Sequence, residues 1–177
     1  MKDIVLTTGR LTLRHMTKKD VCNLLEIFSD PIAMEYYPST KDEEQTIEWI
    51  DRMLNNYAKH GTGIWIVEHK ETGEFLGQCG IVPQEVEGVR EMEIGYSFAR
   101  RVWGNGYATE AAAACKRYGF ENMNVQKLVS LIDIKNLASR KVAERIGMTP
   151  EKHIRKWGKE IVVYASETKI SNSVSLI

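Results

Sequence analysis

The sequence contains few of the residues that cross-link small proteins or bind metal ions. It has three cysteines, Cys22, Cys79 and Cys115, and four scattered histidines. The odd number and uneven spacing of the cysteines predict neither a disulfide framework nor a four-cysteine zinc site. We therefore expect a protein without a bound metal in a reducing, cytoplasmic compartment. In it, Cys79 and Cys115 would serve as small buried hydrophobic residues.

The sequence also lacks an excess of charge of either sign and a long hydrophobic run. Lys and Arg together number 24, as do Asp and Glu, so the formal net charge is zero. Proteins that bind nucleic acids usually carry a basic surplus, which argues against such a partner. No apolar stretch approaches the roughly 20 residues that cross a bilayer, and the first residues do not resemble a signal peptide. We expect neither a nucleic-acid nor a membrane partner.

What the sequence does contain is the alternating pattern of a single α+β (mixed α/β) domain, which we place over residues 1–177. No linker or internal repeat divides the chain. Apolar residues at period two predict strands near 10–14 and 91–98, and short apolar runs predict further strands near 64–68, 75–82, 127–132 and 161–165. Apolar residues at helical spacing predict helices near 21–28, 47–57, 109–118 and 138–146. We expect one central sheet with helices packed against it.

A glycine-rich turn over residues 101–109 joins a predicted strand to a predicted helix. Gly104 and Gly106 allow the backbone to turn sharply and to approach a ligand closely. The free N–H groups at the start of the next helix would favour a diphosphate. The turn is neither a P-loop nor a dinucleotide fingerprint, because the third glycine position of that fingerprint is Thr109. From these residues alone, a phosphate site and an ordinary turn are equally consistent.

Four segments in order resemble the GNAT N-acetyltransferase superfamily, and within it the RimJ/RimL type of ribosomal-protein N-terminal acetyltransferase. The first two are Arg10-Leu11-Thr12-Leu13-Arg14 and Ser29-Asp30-Pro31. The third is Arg101-x-x-Gly104-x-Gly106, which follows the strand Glu93-Ile94-Gly95-Tyr96. The fourth runs from Asn136 to Met148. The resemblance covers residues 8–166 and leaves 167–177 as a tail.

The resemblance implies a strongly twisted mixed sheet of about seven strands and four helices, opened where acetyl-coenzyme A enters. It implies that acetyl-CoA is the co-substrate, and that a homodimer is consistent with the family. The residues that it assigns to the cofactor are Ser97, Phe98, Arg101, Val102, Trp103, Gly104, Asn105, Gly106, Tyr107, Ala108, Thr109, Asn136 and Arg140.

Transfer of an acetyl group to an amine requires a deprotonated amine and a proton for the departing thiolate. Glu93 is the candidate base, since the resemblance places its strand beside the thioester; the alternative is an ordinary polar residue on the wet face of a strand. Ser139 is the candidate proton donor, because the RimL type uses a serine there; the alternative is a hydroxyl that caps a helix.

For the acceptor, the resemblance points to Tyr36, Tyr37 and Glu93, which border the acceptor side in the family. Acidic residues nearby, at 35 and 42–44, would suit a cationic amine, although acids also favour the start of a helix. We expect a protein N-terminal amine or a small-molecule amine as acceptor. Two alternatives stay open: an acetyl-CoA sensor without turnover, and an enzyme that uses a larger acyl group such as succinyl.

Overall fold

The computed structural model of the chain describes residues 1–169 and contains eight strands and four helices. The strands are β1 Ile4–Thr7, β2 Leu11–Arg14, β3 Ile64–His69, β4 Phe75–Val86, β5 Val89–Phe98, β6 Lys127–Asp133, β7 Thr149–Lys156 and β8 Lys159–Glu167. The helices are α1 Val21–Phe28, α2 Glu43–His60, α3 Tyr107–Glu121 and α4 Leu137–Arg145. None of these four helices is long and apolar enough to cross a membrane.

The eight strands form one sheet in the order β1-β2-β3-β4-β5-β6-β8-β7. All neighbours are antiparallel except β5 and β6. Successive residues of β3 point to opposite faces, so Trp65 joins the core beneath α3 and α4, whereas Ile66 joins the core beneath α1 and α2. The sheet therefore separates the α3 side of the molecule from the α2 side.

The predicted helices are confirmed, and their ends follow local capping chemistry. Asp42 caps α2 by accepting from the N–H of Gln45, whose side chain accepts in return from the N–H of Asp42. Gly61 ends α2 with a φ of 69°, a conformation that favours glycine. Helix α3 is longer than predicted, because it begins directly at the glycine turn and continues past Tyr118.

The sheet has eight strands where about seven were expected, and two of them escaped the sequence pattern. Strand β1 is short and lies at the edge, and β7 is polar, with Ile154 as its one buried residue. Both form because a neighbouring strand supplies hydrogen bonds rather than because their own residues alternate. Between β4 and β5, Glu87 and Gly88, both at positive φ, make a two-residue hairpin turn.

The predicted cysteine environment is confirmed, while most of the predicted tail cannot be compared. Cys79 and Cys115 are both fully buried, on β4 and α3, with their sulfur atoms 3.6 Å apart. The tail was predicted over residues 167–177. Glu167 instead ends β8, and residues 170–177 lie outside the described residues.

A buried ion network joins the start of the chain to the sheet. The guanidinium of Arg14 contacts the carboxylates of Asp20 and Glu68 at 2.7 and 2.8 Å, and Lys2 reaches the second oxygen of Glu68. Burial alone would raise the pKa of both carboxyls, but hydrogen bonds from Arg14 bring each pKa below its ordinary value. Each of these charges therefore stabilises the others, since removal of one partner leaves the remaining charges buried without compensation.

We predict that Arg14→Met lowers the free energy of unfolding by about 3–5 kcal/mol at neutral pH. The loss should shrink as the pH falls, because the carboxylates contribute stability above their unfolded pKa and lose it on protonation. Urea unfolding at several pH values measures both effects. Lys18→Met is the control, because its exposed pair with Asp51 should contribute less than about 1 kcal/mol. Equal losses in the two variants would contradict the prediction.

Candidate active site

The central feature of the site is an opening in the sheet between the parallel strands β5 and β6. Glu93 and Val129 are the single registered pair between them. Beyond that pair, the hydroxyl of Ser130 donates to the carbonyl of Ile94 at 2.8 Å. The N–H of Leu131 donates to the carboxylate of Glu93, also at 2.8 Å. Side chains thus replace the strand pairing where the two strands part.

A pocket of about 450 Å³ occupies this opening and extends over the α2 side of the sheet. A volume in this range is typical of small-molecule sites. Six residues that the sequence predicted for the site line it together: Tyr36, Tyr37, Glu93, Ser97, Asn136 and Ser139. They come from the segment between α1 and α2, from β5 and from the start of α4. The fold thus gathers candidates that are up to 103 positions apart in the chain.

Glu93 lies half-buried in the wall of the pocket. Its two carboxylate oxygens accept from the N–H of Leu131 at 2.8 Å and from the amide of Gln84 at 3.3 Å. Burial is the largest influence and outweighs both hydrogen bonds, so the pKa of Glu93 rises to about 7. A carboxylate with such a pKa can accept a proton at neutral pH and release it again, as a general base requires.

Ser139 lies at the start of α4 and is one of the residues that line the pocket. Asn136, and not Ser139, caps this helix, because the Asn136 side chain accepts from the Ser139 N–H at 3.2 Å. The hydroxyl of Tyr96 crosses the opening and donates to the Ser139 carbonyl at 2.8 Å. Within residues 1–169 the Ser139 hydroxyl itself has no hydrogen-bond partner. The capping interpretation of this serine was therefore wrong.

The glycine turn exposes a row of backbone N–H groups at the start of α3. Gly104 and Gly106 both have positive φ, 82° and 79°, which accounts for glycine at these positions. In the part of the chain that the structure describes, none of the N–H groups from Gly104 to Thr109 has a protein acceptor. A side-chain carbon on Gly104 would meet no atom within 4 Å, so the turn borders open space. Six unpaired donors at the positive end of a helix suit a phosphate group.

Residues from the opposite end of the chain hold this turn in place. Arg10 contacts the carboxylate of Glu110 at 2.7 Å, donates to the carbonyl of Asn105 and packs over the ring of Tyr107. The hydroxyl of Thr8 also donates to Glu110. Sequence reasoning missed this role of Arg10 and Glu110, because the two residues meet only after β2 has paired with β3.

Three residues predicted to bind the cofactor have side chains that are engaged elsewhere. Arg101 forms ion pairs with Glu26 and Glu74 and donates to a main-chain carbonyl. The ring of Phe98 is buried in the core. Arg140 donates to the hydroxyl of Tyr164 and to the carbonyl of Ile134. The backbone is engaged at two of these positions as well, because the Arg140 N–H donates to the carbonyl of Asn136 and the Phe98 carbonyl accepts from the indole of Trp103.

Trp49 and Trp157 also line the pocket, which their sequence context did not indicate. The indole N–H of Trp49 donates to Gln78, whose amide donates to the hydroxyl of Ser97. Trp157 occupies the β7–β8 turn at a φ of 54°, a left-handed conformation that is costly for a residue other than glycine.

The acidic residues 35 and 42–44 lie outside the pocket. Asp42 instead caps α2, so the helix-start interpretation of these acids is the better one.

Comparison with known proteins agrees with this geometry. The family model of the acetyltransferase (GNAT) domain matches residues 10–149. The chain is 53% identical over 160 residues to YkkB, an uncharacterized protein of Bacillus subtilis (strain 168), and the match covers 90% of this chain and 93% of that protein.

Two solved structures share the fold. An acetyltransferase from Agrobacterium tumefaciens str. C58 has a TM-score of 0.81 at 31% identity, covering 92% of this chain and 94% of that one. RimL, a ribosomal L7/L12 alpha-N-protein acetyltransferase solved with coenzyme A, has a TM-score of 0.78 at 17% identity, covering 93% and 98%. With a glycine turn, an opened sheet and a family model that spans most of its length, the chain belongs to the GNAT family and is an N-acetyltransferase.

Proposed function

We propose that this enzyme moves an acetyl group from acetyl-CoA directly to a primary amine, with both substrates bound at once. The observation that carries the proposal is the continuity of the site. Strand β5 carries Glu93, whose pKa is about 7, in the wall of the pocket, and the same strand ends just before the glycine turn with its unpaired N–H groups. The turn suits a diphosphate, and the pocket wall suits proton transfer.

The residues around the turn fit the expected co-substrate. We assign the diphosphate to the backbone N–H groups of the turn and of the first turn of α3, residues 101–109. The edge of β5 at Ser97 and Phe98 would bind the pantetheine arm, because the pairing with β6 has ended there. Asn136 borders the same opening from α4. Coenzyme A in the solved structure of RimL, which shares this fold, supports the assignment.

In the proposed reaction, the amine nitrogen forms a bond to the acetyl carbon while the bond from that carbon to sulfur breaks. Glu93 takes the proton that the amine gives up, directly or through a water molecule. The hydroxyl of Ser139 gives a proton to the departing thiolate and regains one from solvent. Holding the two reactants side by side supplies several kcal/mol of the barrier reduction, and proton transfer adds a smaller part. Tyr36 and Tyr37 would contact the acceptor.

We predict that Gly104→Asp weakens acetyl-CoA binding by at least about 30-fold, measured by isothermal titration calorimetry. The aspartate would place a negative charge against the diphosphate and fill the space in front of the N–H groups. Gly88→Asp is a matched control: Gly88 has a similar φ of 78° and equally open surroundings, but it lies in the β4–β5 hairpin.

Because both changes impose the same backbone strain and the same charge, thermal unfolding should show similar losses of stability. Binding should be lost in Gly104→Asp alone. Equal acetyl-CoA affinity in the two variants would show that the turn does not hold the phosphates. A folded wild-type protein that fails to bind acetyl-CoA would contradict the proposed function itself.

We predict that kcat/KM of the wild-type enzyme rises with pH through an ionisation near 7, because Glu93 accepts protons only when it is ionised. Glu93→Gln should lose this ionisation and roughly 10²–10³-fold of kcat/KM, while the ionisation of the amine substrate remains. The measurement is the rate of CoA release over a pH series. An unchanged profile in Glu93→Gln would assign the ionisation to another group.

Unfolding measurements separate this chemical role from a structural one. The raised pKa of Glu93 contributes stability below the unfolded pKa, and that contribution is lost as the pH rises through about 7. Glu93→Gln should therefore be at least as stable as the wild type at pH 8, even though it is less active. A less stable variant at that pH would indicate that the carboxylate mainly supports the opening of the sheet.

We predict that Ser139→Ala lowers kcat by roughly 10- to 100-fold without changing the affinity for acetyl-CoA. The hydroxyl does not cap α4, so its removal should leave the free energy of unfolding within about 0.5 kcal/mol of the wild type. Asn136→Ala is the contrasting variant, since loss of the cap should cost about 1 kcal/mol. A normal kcat in Ser139→Ala would remove the serine from the mechanism.

A further inference from the structure

The acceptor side of the pocket contains two positive side chains, Lys41 and Arg52. Lys41 directly precedes the N-cap of α2, and Arg52 lies in the third turn of that helix. Trp49, Arg52 and Asn56 are spaced by three and four positions, so one face of α2 forms this wall of the pocket. Among residues 1–169, no carboxylate lies within 4 Å of either charge. Asp51, which directly precedes Arg52 in α2, pairs with Lys18 instead.

Aromatic rings hold both cations in place without neutralising them. The Lys41 ammonium lies 5.5 Å from the ring centroid of Phe28, and the Arg52 guanidinium lies 5.0 Å from the ring of Trp49. Such contacts are attractive but leave the positive charge available to a ligand. Burial, and then the charge of Arg52, lower the pKa of Lys41 below its ordinary value. The two cations are therefore close enough to disfavour each other.

The carboxylates that do line the pocket are already engaged. Asp133 faces Lys159 at 3.5 Å, and Glu93 accepts from the N–H of Leu131. The acids nearest to Lys41 in the chain, at 42–44, are exposed and lie outside the pocket. Lys41 is half-buried and Arg52 is exposed, so both charges are accessible, and an anionic group in this concave site would be attracted by both of them.

We propose that Lys41 and Arg52 bind an anionic group of the acceptor, so that the substrate is a small primary amine that also carries a carboxylate or a phosphate. The inference rests on the proposed function, which places the amine of the same molecule at Glu93. The aromatic side chains of Trp49, Tyr36 and Tyr37 would pack against the part between the two groups. This substrate class differs from the cationic amine that the acidic residues suggested.

A phosphate of the co-substrate is the competing occupant, and the fold disfavours it. The glycine turn leads into α3, which packs on one face of the sheet, whereas α2 packs on the other. The diphosphate and the pair of cations thus belong to opposite sides of the opening. The two possibilities also lead to different results. If the cations bind the acceptor, their removal weakens acceptor binding; if they bind a phosphate of acetyl-CoA, their removal weakens acetyl-CoA binding.

The test uses ω-amino acids of increasing chain length, each compared with the amino alcohol of the same length, together with 2-aminoethyl phosphate and ethanolamine. Each compound is titrated calorimetrically into the full-length protein saturated with CoA, and kcat/KM for acetylation is measured in parallel. We expect at least one anionic amine to bind, and to be acetylated, roughly 10- to 100-fold better than its uncharged partner, as a charge-assisted contact predicts.

Lys41→Met and Arg52→Gln should each reduce this preference by about tenfold, mainly through KM, with unchanged affinity for acetyl-CoA. Lys41→Met keeps the apolar stem over Phe28, and circular dichroism checks that the fold is intact. Lys59→Gln is the control, because Lys59 is an exposed residue of α2 outside the pocket. Its preference should equal that of the wild type.

Three results would overturn the inference. The first is that amino alcohols bind as well as amino acids, and the second is that the preference for anionic amines survives when Lys41→Met and Arg52→Gln are combined. The third is that the variants bind acetyl-CoA more weakly while their acceptor preference is unchanged. Any of these leaves the proposed function intact if amines are still acetylated. If the protein binds no acetyl-CoA, the proposed function fails. The direct titration of the anionic amines, made without CoA, then still decides whether the cations bind an anion.

Discussion

The site depends on the end of strand pairing between β5 and β6. A sheet that parts in its middle leaves backbone donors and acceptors without partners, which is costly away from water. Here the carboxylate of Glu93 accepts from the N–H of Leu131, and the hydroxyl of Ser130 donates to the carbonyl of Ile94. Tyr96 joins β5 to α4 across the same opening. Two short polar side chains and one tyrosine thus stabilise a cleft that ordinary pairing would close.

The two faces of the sheet carry different kinds of binding groups. On the side of α3, a glycine turn fixed by Arg10 and Glu110 presents unpaired N–H groups, which suits an anion held by the backbone. On the side of α2, aromatic rings and two cations line a pocket of small-molecule size. Glu93 lies between the two sides, and its pKa is raised because the cost of burying its charge outweighs the hydrogen bonds from Leu131 and Gln84 and the positive charge of Lys156.

The parts of the fold that could be predicted were those with strong local signals. Helix α2 was found from apolar residues at helical spacing over 47–57, and capping by Asp42 and Gly61, which involves only neighbouring residues, sets its ends. Strand β7 could not be predicted, since Ile154 is its one buried residue and β8 supplies its pairing. The glycine turn was found from its spacing, but Arg10, which holds it, was not. The acidic residues near α2 do not line the pocket, because sequence proximity does not show which way a side chain faces.

The sequence by itself determined the mixed sheet, the helices, the glycine turn and, through resemblance, the family. These follow from periodicity and from short motifs, in which each residue acts on its close neighbours in the chain. Only the tertiary structure decided that Glu93 lies half-buried in the pocket wall and that Asn136 rather than Ser139 caps α4. It also decided that Lys41 and Arg52 line the same pocket with no carboxylate of residues 1–169 within 4 Å of either charge. Burial and charge pairing depend on residues distant in the chain, so they exist only once the sheet has formed and parted.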